Sequence, residues 1–280
     1  MYVLYDAAKA TDDEVMTHRT ILWISAHPST RSLNHALTSE GIAALSANGV
    51  EVLSSDLYRM GWNPVLDGEC FGETVEDFHP THSVRSAYID GRLPADVRAE
   101  QDKVRAADAV VLQFPLWWYG VPAILKGWFD RVLHSGFAFG TDPDTGTRLR
   151  FENGPFRGKR ALVITTLGDR PQAIGPRGKS GELHELLFGL LHGTLAYTGF
   201  DVLEPLAIPS ADRLTDEGFR ELRDEVESRL LQIFTSTPIP YRPQFSGEYT
   251  EEWALADHVL PGQTGLSIHI DHKKAGCLHE

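Results

Sequence analysis

Cysteine is scarce in this chain: Cys70 and Cys277 are the only two in 280 residues. Two distant cysteines make no disulfide framework, and the sequence reads as that of a reduced, cytoplasmic protein. Long hydrophobic runs are missing, and no segment approaches the ~20 apolar residues of a membrane span. The N-terminal MYVLYDAAKATDDEV has neither the basic region nor the apolar stretch of a signal peptide. Excess positive charge is absent too. A formal charge of -13 argues against nucleic acid and against anionic membrane surfaces, both of which require a basic footprint. There is no GxGxxG dinucleotide loop and no GxSxG hydrolase elbow. His269, His272, Cys277 and His279 match no zinc spacing and read as a polar tail, so no metal site is expected.

What is present is an alternation of short apolar runs and helical patterns, in a chain that is 42% hydrophobic. TILWISA (20–26) reads as a buried strand, and VEVLSSD (50–56), AVVLQFP (109–115), KRALVITTLG (159–168) and FDVLEPLAI (200–208) read as four more strands. Between them, 32–49, 94–109, 121–133 and 182–199 read as helices, and 216–234 as a last amphipathic helix. The stretch 57–93, rich in Gly, Pro, Asp and His, reads as a long irregular excursion. Five strands alternating with helices predict a doubly wound parallel sheet in the flavodoxin-like order 2-1-3-4-5. In that arrangement ligands bind beyond the strand C-termini, between the first and third strands.

Three segments converge on that place. After the first strand, SAHPSTRSLN supplies His27, Arg31, Ser32 and Asn34 where a helix begins, a setting for a phosphate or for simple capping. After the third, Trp117, Trp118 and Tyr119 stand side by side. Neighbours in an extended segment point opposite ways, so these three cannot all enter one core, and at least one must edge a cleft able to stack a flat heteroaromatic ring. After the fourth, Thr165, Thr166 and Gly168 predict a tight turn that presents backbone N–H groups.

The stretch QFPLWWYGVPAILKGWFDRV resembles the signature of the NAD(P)H:quinone oxidoreductase family, the flavodoxin-like DT-diaphorases. The likeness takes in AHPSTRSLN, SSDLYRMGWNP, GRLPADVRAEQDKVRAADAVV, GFAF, GPFRGKRA, ITTLG, GFDVLEP and TGLSIHI, leaving out about the first 18 residues. It implies a homodimer that holds FAD, more than FMN, without a covalent bond. Such an enzyme takes hydride from NAD(P)H and reduces quinones, or related azo or nitro acceptors, by two electrons in a ping-pong cycle. Carried over residue by residue, His27, Ser32, Leu33 and Asn34 would lie along the pyrophosphate and ribityl chain, and Gln101 would be a further FAD contact. Pro115, Leu116, Trp117, Trp118 and Tyr119 would wall the isoalloxazine, with Thr165, Thr166, Leu167 and Gly168 at its polar edge. Trp118 and Tyr119 would also meet the substrate, joined by Phe139 and Thr141 from the partner subunit and by Tyr197.

The sequence departs from the family at Trp117, where a polar residue is usual, and after the fourth strand. There the family's Tyr and His, thought to stabilise charge on the reduced flavin, are replaced by GDRPQAIGPRGKSGELHE. The alignment places Ala173 or Ile174 at the Tyr and Ser180 at the His, leaving Arg177, Lys179 and His184 as candidates for the role. The missing pair keeps open a second reading, a flavin-binding carrier or regulatory subunit, for instance of an ion transporter. The expected organisation is an extension over 1–18, a flavodoxin-like domain over 19–235, and a C-terminal extension over 236–280 that packs on the core or on the partner.

Overall fold

The computed structural model describes residues 18–271. Its strands are β1 (Thr20–Ser25), β2 (Glu51–Asp56), β3 (Ala109–Pro115), β4 (Gly140–Thr141), β5 (Arg148–Leu149), β6 (Arg160–Thr166), β7 (Asp201–Val202) and β8 (Leu206–Ile208). Its helices are α1 (Leu33–Ala47), α2 (Pro80–Ile89), α3 (Ala95–Ala106), α4 (Ala123–Val132), α5 (Leu183–Leu186), α6 (Phe188–Leu190) and α7 (Asp216–Leu231). The main sheet is parallel and runs β2-β1-β3-β6-β7, with β8 also pairing β6.

The period-2 alternation of the strands separates two cores. On one face Ile21, Trp23, Val111, Leu162 and Ile164 pack against Leu37 and Leu45 of α1 and Leu222, Val226 and Leu230 of α7. On the other, Leu22, Ile24, Leu112 and Val163 pack against Val97 and Val104 of α3 and Leu125, Trp128 and Val132 of α4. All seven residues of β3 are buried, which is why that run carries no polar alternation.

The structure corrects the sequence reading at four places. The fifth strand is two pieces, β7 and β8, interrupted before Pro205, which has no N–H to give to the ladder. The helix expected over 182–199 is broken into α5, α6 and a π-helical turn, Leu191–Ala196. The chain carries Gly189 and Gly193 there, and glycine weakens helix interiors. The 57–93 excursion is partly ordered: it contains α2 and a 3₁₀ turn, Glu69–Phe71, and buries Trp62, Phe71, Val84 and Ala87. The antiparallel pair β4–β5 was not anticipated at all.

The segment after α7 returns to the core. The backbone N–H groups of Gln244 and Phe245 donate to the Glu152 carboxylate at 3.0 and 2.7 Å, and Arg148 and Arg150 lie over the Trp253 ring. His269 is therefore no part of a loose tail: its Nδ1 is 2.7 Å from the Tyr249 hydroxyl and the two rings are stacked. His272, Cys277 and His279 lie outside the described residues, and no metal-binding cluster exists among the described ones.

Candidate active site

The carboxyl ends of β1, β3 and β6 lie side by side in the sheet and are tied together by a polar web. The Asn34 amide donates to the Thr166 hydroxyl at 2.7 Å and ties the first turn of α1 to the end of β6. Asn34 is buried, and its Oδ1 has no protein hydrogen-bond partner. A buried acceptor left this way costs free energy until a ligand donor reaches it. Gln113, itself buried, donates to the Asn34 carbonyl at 2.8 Å and accepts from the Trp23 indole at 2.9 Å and from Thr38. The loop into α1 is pre-shaped: Ser29 N–H donates to His27 Nδ1 at 3.0 Å, and Ser32 caps the helix by accepting from His35 N–H. Leu33 opens the helix, whose positive end therefore faces the cleft through Ser32 and Asn34.

The aromatic loop is a tight hairpin. Trp117 and Gly120 exchange both backbone hydrogen bonds, at 3.1 and 3.0 Å, and the two residues between them, Trp118 and Tyr119, have φ of +53° and +55°. Such turns normally take Asn-Gly or Gly-Gly, so two bulky aromatics there store strain. Trp118 is fully exposed, while Trp117 and Tyr119 are about half so. The Trp117 ring lies 6.2 Å from that of His27, which closes the cleft between the first and third loops. Leu116 N–H donates to the Thr166 carbonyl at 2.8 Å, Thr165 donates to the Phe114 carbonyl at 3.0 Å, and Leu167 N–H donates to Ile208. A Cβ on Gly168 would meet nothing, so the backbone is open to a ligand there.

Three residues that the sequence reading did not join sit at the rim. Tyr119 Oη is 3.0 Å from Ser180 Oγ and 3.2 Å from Asp169 Oδ2, and Ser180 donates to the same Asp169 oxygen at 2.6 Å. The Ser180 hydroxyl, with the Tyr119 hydroxyl and the nearby Lys179 ammonium, holds the Asp169 carboxyl below its ordinary value. The only signal in the sequence was the alignment of Ser180 with the family His.

The remaining candidates are elsewhere. Arg177 and Lys179 are exposed on the loop after β6. His184 is 2.8 Å from Glu204, which raises its pKa, and lines a separate cavity with Phe188, Tyr241 and Ile270. Phe139 and Tyr197 form an edge-on pair, 5.8 Å between centroids, beside a cavity of about 340 Å³ that His134 also lines. Gln101 is buried behind His134, with its amide nitrogen 2.7 Å from the His134 ring and 3.1 Å from the Val132 carbonyl. Thr141 is on the β4–β5 hairpin. This second group is at the opposite end of the sheet. The ten residues of α4 carry the chain back about 15 Å from the aromatic turn, and Phe151 and Phe156 pair with Tyr197 and Thr198 just before β6 starts.

A family model for the flavodoxin-like fold matches residues 19–230. Along 262 residues the chain is 36% identical to NAD(P)H dehydrogenase [quinone] 1 of Rattus norvegicus, covering 90% of this chain and 93% of that one. The chain belongs to the NAD(P)H:quinone oxidoreductase family. Other members include a ribosyldihydronicotinamide dehydrogenase-like protein of Penicillium crustosum, 41% identical over 82% of this chain and 86% of its own. A solved structure assigned as a quinone reductase from Klebsiella pneumoniae superposes with a TM-score of 0.86 at 40% identity, over 90% of this chain and all of that one. The Trp117–Gly120 turn and the loops around it thus occupy the ligand end of a family fold.

Proposed function

We propose that this protein is a flavin-dependent NAD(P)H:quinone oxidoreductase whose cofactor lies in the cleft between the loops after β1, β3 and β6. The observation that carries it is Asn34 Oδ1, a buried acceptor without a protein partner at the positive end of α1, on a side chain tied to the end of β6. A ribityl hydroxyl satisfies that acceptor, a phosphate suits the helix end, and Trp117, Trp118 and Tyr119 wall a planar ring. The residues present fit a flavin. Bound there, the flavin supplies two-electron hydride chemistry between a nicotinamide and a quinone. The chain's own part is to bind and orient: Ser32, Leu33 and Asn34 at the sugar–phosphate chain, Thr165 to Gly168 at the polar edge, the aromatics at the face. Likeness along nearly the full length of the rat enzyme supports FAD over FMN and catalysis over a carrier role.

Dimerisation is part of the reading. Phe139, Thr141 and Tyr197 lie about 15 Å or more from the aromatic turn in one protomer, so they complete a substrate site only when a second copy supplies them; Gln101, expected as an FAD contact, lies with them behind His134. Lys179, close enough to Asp169 to lower its pKa, and Arg177 on the same exposed loop are the candidates to support negative charge on the reduced cofactor. Quinones, with azo and nitro compounds as further acceptors, are the substrate class.

The test is to release the cofactor by denaturation, run it against FAD and FMN standards, and follow anaerobic bleaching of its visible band by NADH or NADPH with a quinone added second. FAD that bleaches and then reoxidises with quinone is expected. A protein that takes up neither flavin overturns the proposal.

A further inference from the structure

The aromatic turn is strained twice over, at Trp118 and Tyr119. Residues in such conformations persist only where their surroundings fix them. Gly120 closes the turn through the backbone, yet Trp118 is fully exposed and holds nothing. Of the two strained residues, only Tyr119 has a polar side-chain anchor among the described residues: Ser180 and Asp169, 3.0 and 3.2 Å away.

Those two residues also bracket the loop that follows β6. Ser180 donates to Asp169 at 2.6 Å across the base of that loop. Within it Gly175 N–H donates to Gly181 and Ser180 N–H to Ala173, at 2.8 and 3.0 Å, and a Cβ on Gly178 would strike the Ala173 carbonyl. At the base, Ser210 N–H donates to the Asp169 carbonyl at 2.8 Å. The loop is a folded unit, and among the described contacts its side-chain tie to the aromatic turn is this one hydroxyl–hydroxyl–carboxylate group. Hydrogen bonds to a charged acceptor are the strong kind.

We propose that Ser180 and Asp169 are positioning residues that hold the Tyr119 hydroxyl and thereby lock the strained turn and the loop after β6 into one rigid wall of the cleft. The functional consequence rests on the flavin reading above; the lock itself does not. Through it the loop that lacks the family's Tyr and His acts on the cofactor indirectly, by fixing the ring that faces it. With the lock intact, Tyr119 stands in one place for both the hydride donor and the acceptor. Without it the turn relaxes, the loop lifts, and the acceptor loses a wall.

Two readouts test this on the purified full-length protein. The first is limited trypsin digestion. The bonds after Arg177 and Lys179 lie inside the loop, whereas Arg170 is followed by Pro171 and resists cleavage. Tyr119→Phe and Ser180→Ala should each speed cutting in the loop by about tenfold, ~1.4 kcal/mol in the opening equilibrium. Ser180→Thr, which keeps a hydroxyl, should restore the wild-type rate. The double variant Tyr119→Phe/Ser180→Ala should be accelerated by much less than the product of the two single effects, because each substitution weakens the same coupled group. The second readout is steady-state kinetics with a soluble quinone. KM for the quinone should rise severalfold in Tyr119→Phe and Ser180→Ala while the flavin dissociation constant stays within about threefold, and Ser180→Thr should again behave as wild type. Wild-type cutting rates in both single variants, or additive effects in the double one, would sink the lock. Acceleration at tryptic sites throughout the chain would do the same, since it reports general unfolding. Digestion reads the lock whether or not flavin is present, so a protein without flavin undoes the functional reading alone.

Discussion

Asn34 shows how one side chain serves both fold and site. Its amide is spent on Thr166, and its oxygen is left for a ligand. Asn34→Ala removes both, and a lost buried hydrogen bond of this kind is worth about 1–2 kcal/mol. Flavin affinity, measured by titrating the stripped protein and following fluorescence quenching, should fall about tenfold. An unchanged affinity would place the ribityl chain elsewhere. His192 carries a different residue-scale lesson. It is buried against Phe188 at 4.6 Å and Tyr241 at 4.9 Å, its Nε2 has no partner, and burial pulls its pKa down to about 4. Burial also lowers the pKa of neighbouring His269, with Arg242 adding to the effect. A histidine whose folded pKa is depressed favours the native state while neutral. That stability is whole above the unfolded value near 6.5 and is lost as pH falls toward 4, at most about 3 kcal/mol for His192. Thermal melts between pH 7.5 and 4.5 should show a drop that His192→Gln flattens.

At the scale of elements, close approaches between backbone segments set the geometry. Gly127 lies on the inner face of α4 where the chain at Pro64 crosses it, and a Cβ there would sit 2.2 Å from the Pro64 carbonyl oxygen. Helix propensity alone favours Gly127→Ala by about 1 kcal/mol. The clash is with backbone, so it outweighs that gain, and a net loss of about 2 kcal/mol or more is expected. In a chain of this length that lowers Tm by about 5 °C or more, readable by calorimetry. A Tm equal to or above wild type would mean the 57–93 segment yields freely. This segment also marks the limit of sequence reading at this scale. PTHSVRSAYI has little apolar periodicity, so α2 was invisible, although Pro80 in its first turn was a start signal. The split of β7 from β8 has its sequence signal in Pro205, which cannot donate to the ladder.

At the scale of the whole molecule, the described residues contain no helix long and apolar enough to cross a membrane. The two groups of candidate residues lie toward opposite ends of the sheet. If two copies join them, variants damaged at opposite ends should rescue one another. Trp118→Ala with Tyr119→Leu spoils the cofactor end, and Phe139→Ala with Tyr197→Ala spoils the other. Mixing the two inactive proteins after mild dissociation should return about a quarter of wild-type activity, since half the dimers are mixed and each has one intact site. No recovery, with mixed dimers present by mass, would mean that each protomer builds its site alone.

The parallel sheet was legible in the sequence alone, because strands covered on both faces read as largely apolar runs, and AVVLQFP and RALVITT are such runs. The sequence also pointed to one end of the sheet for the site, because the segments carrying His27, Trp117 and Gly168 each follow a strand. The tertiary structure decided which of those residues meet. Tyr119 and Ser180 are 61 positions apart and Asn34 and Thr166 are 132 apart. No local pattern encodes such a pairing, since it exists only once the loops are brought to one rim. The same holds for Gln101, whose place behind His134 and away from the aromatic turn follows from the direction of α3 and α4 across the sheet, a matter of packing on which a single helix pattern is silent.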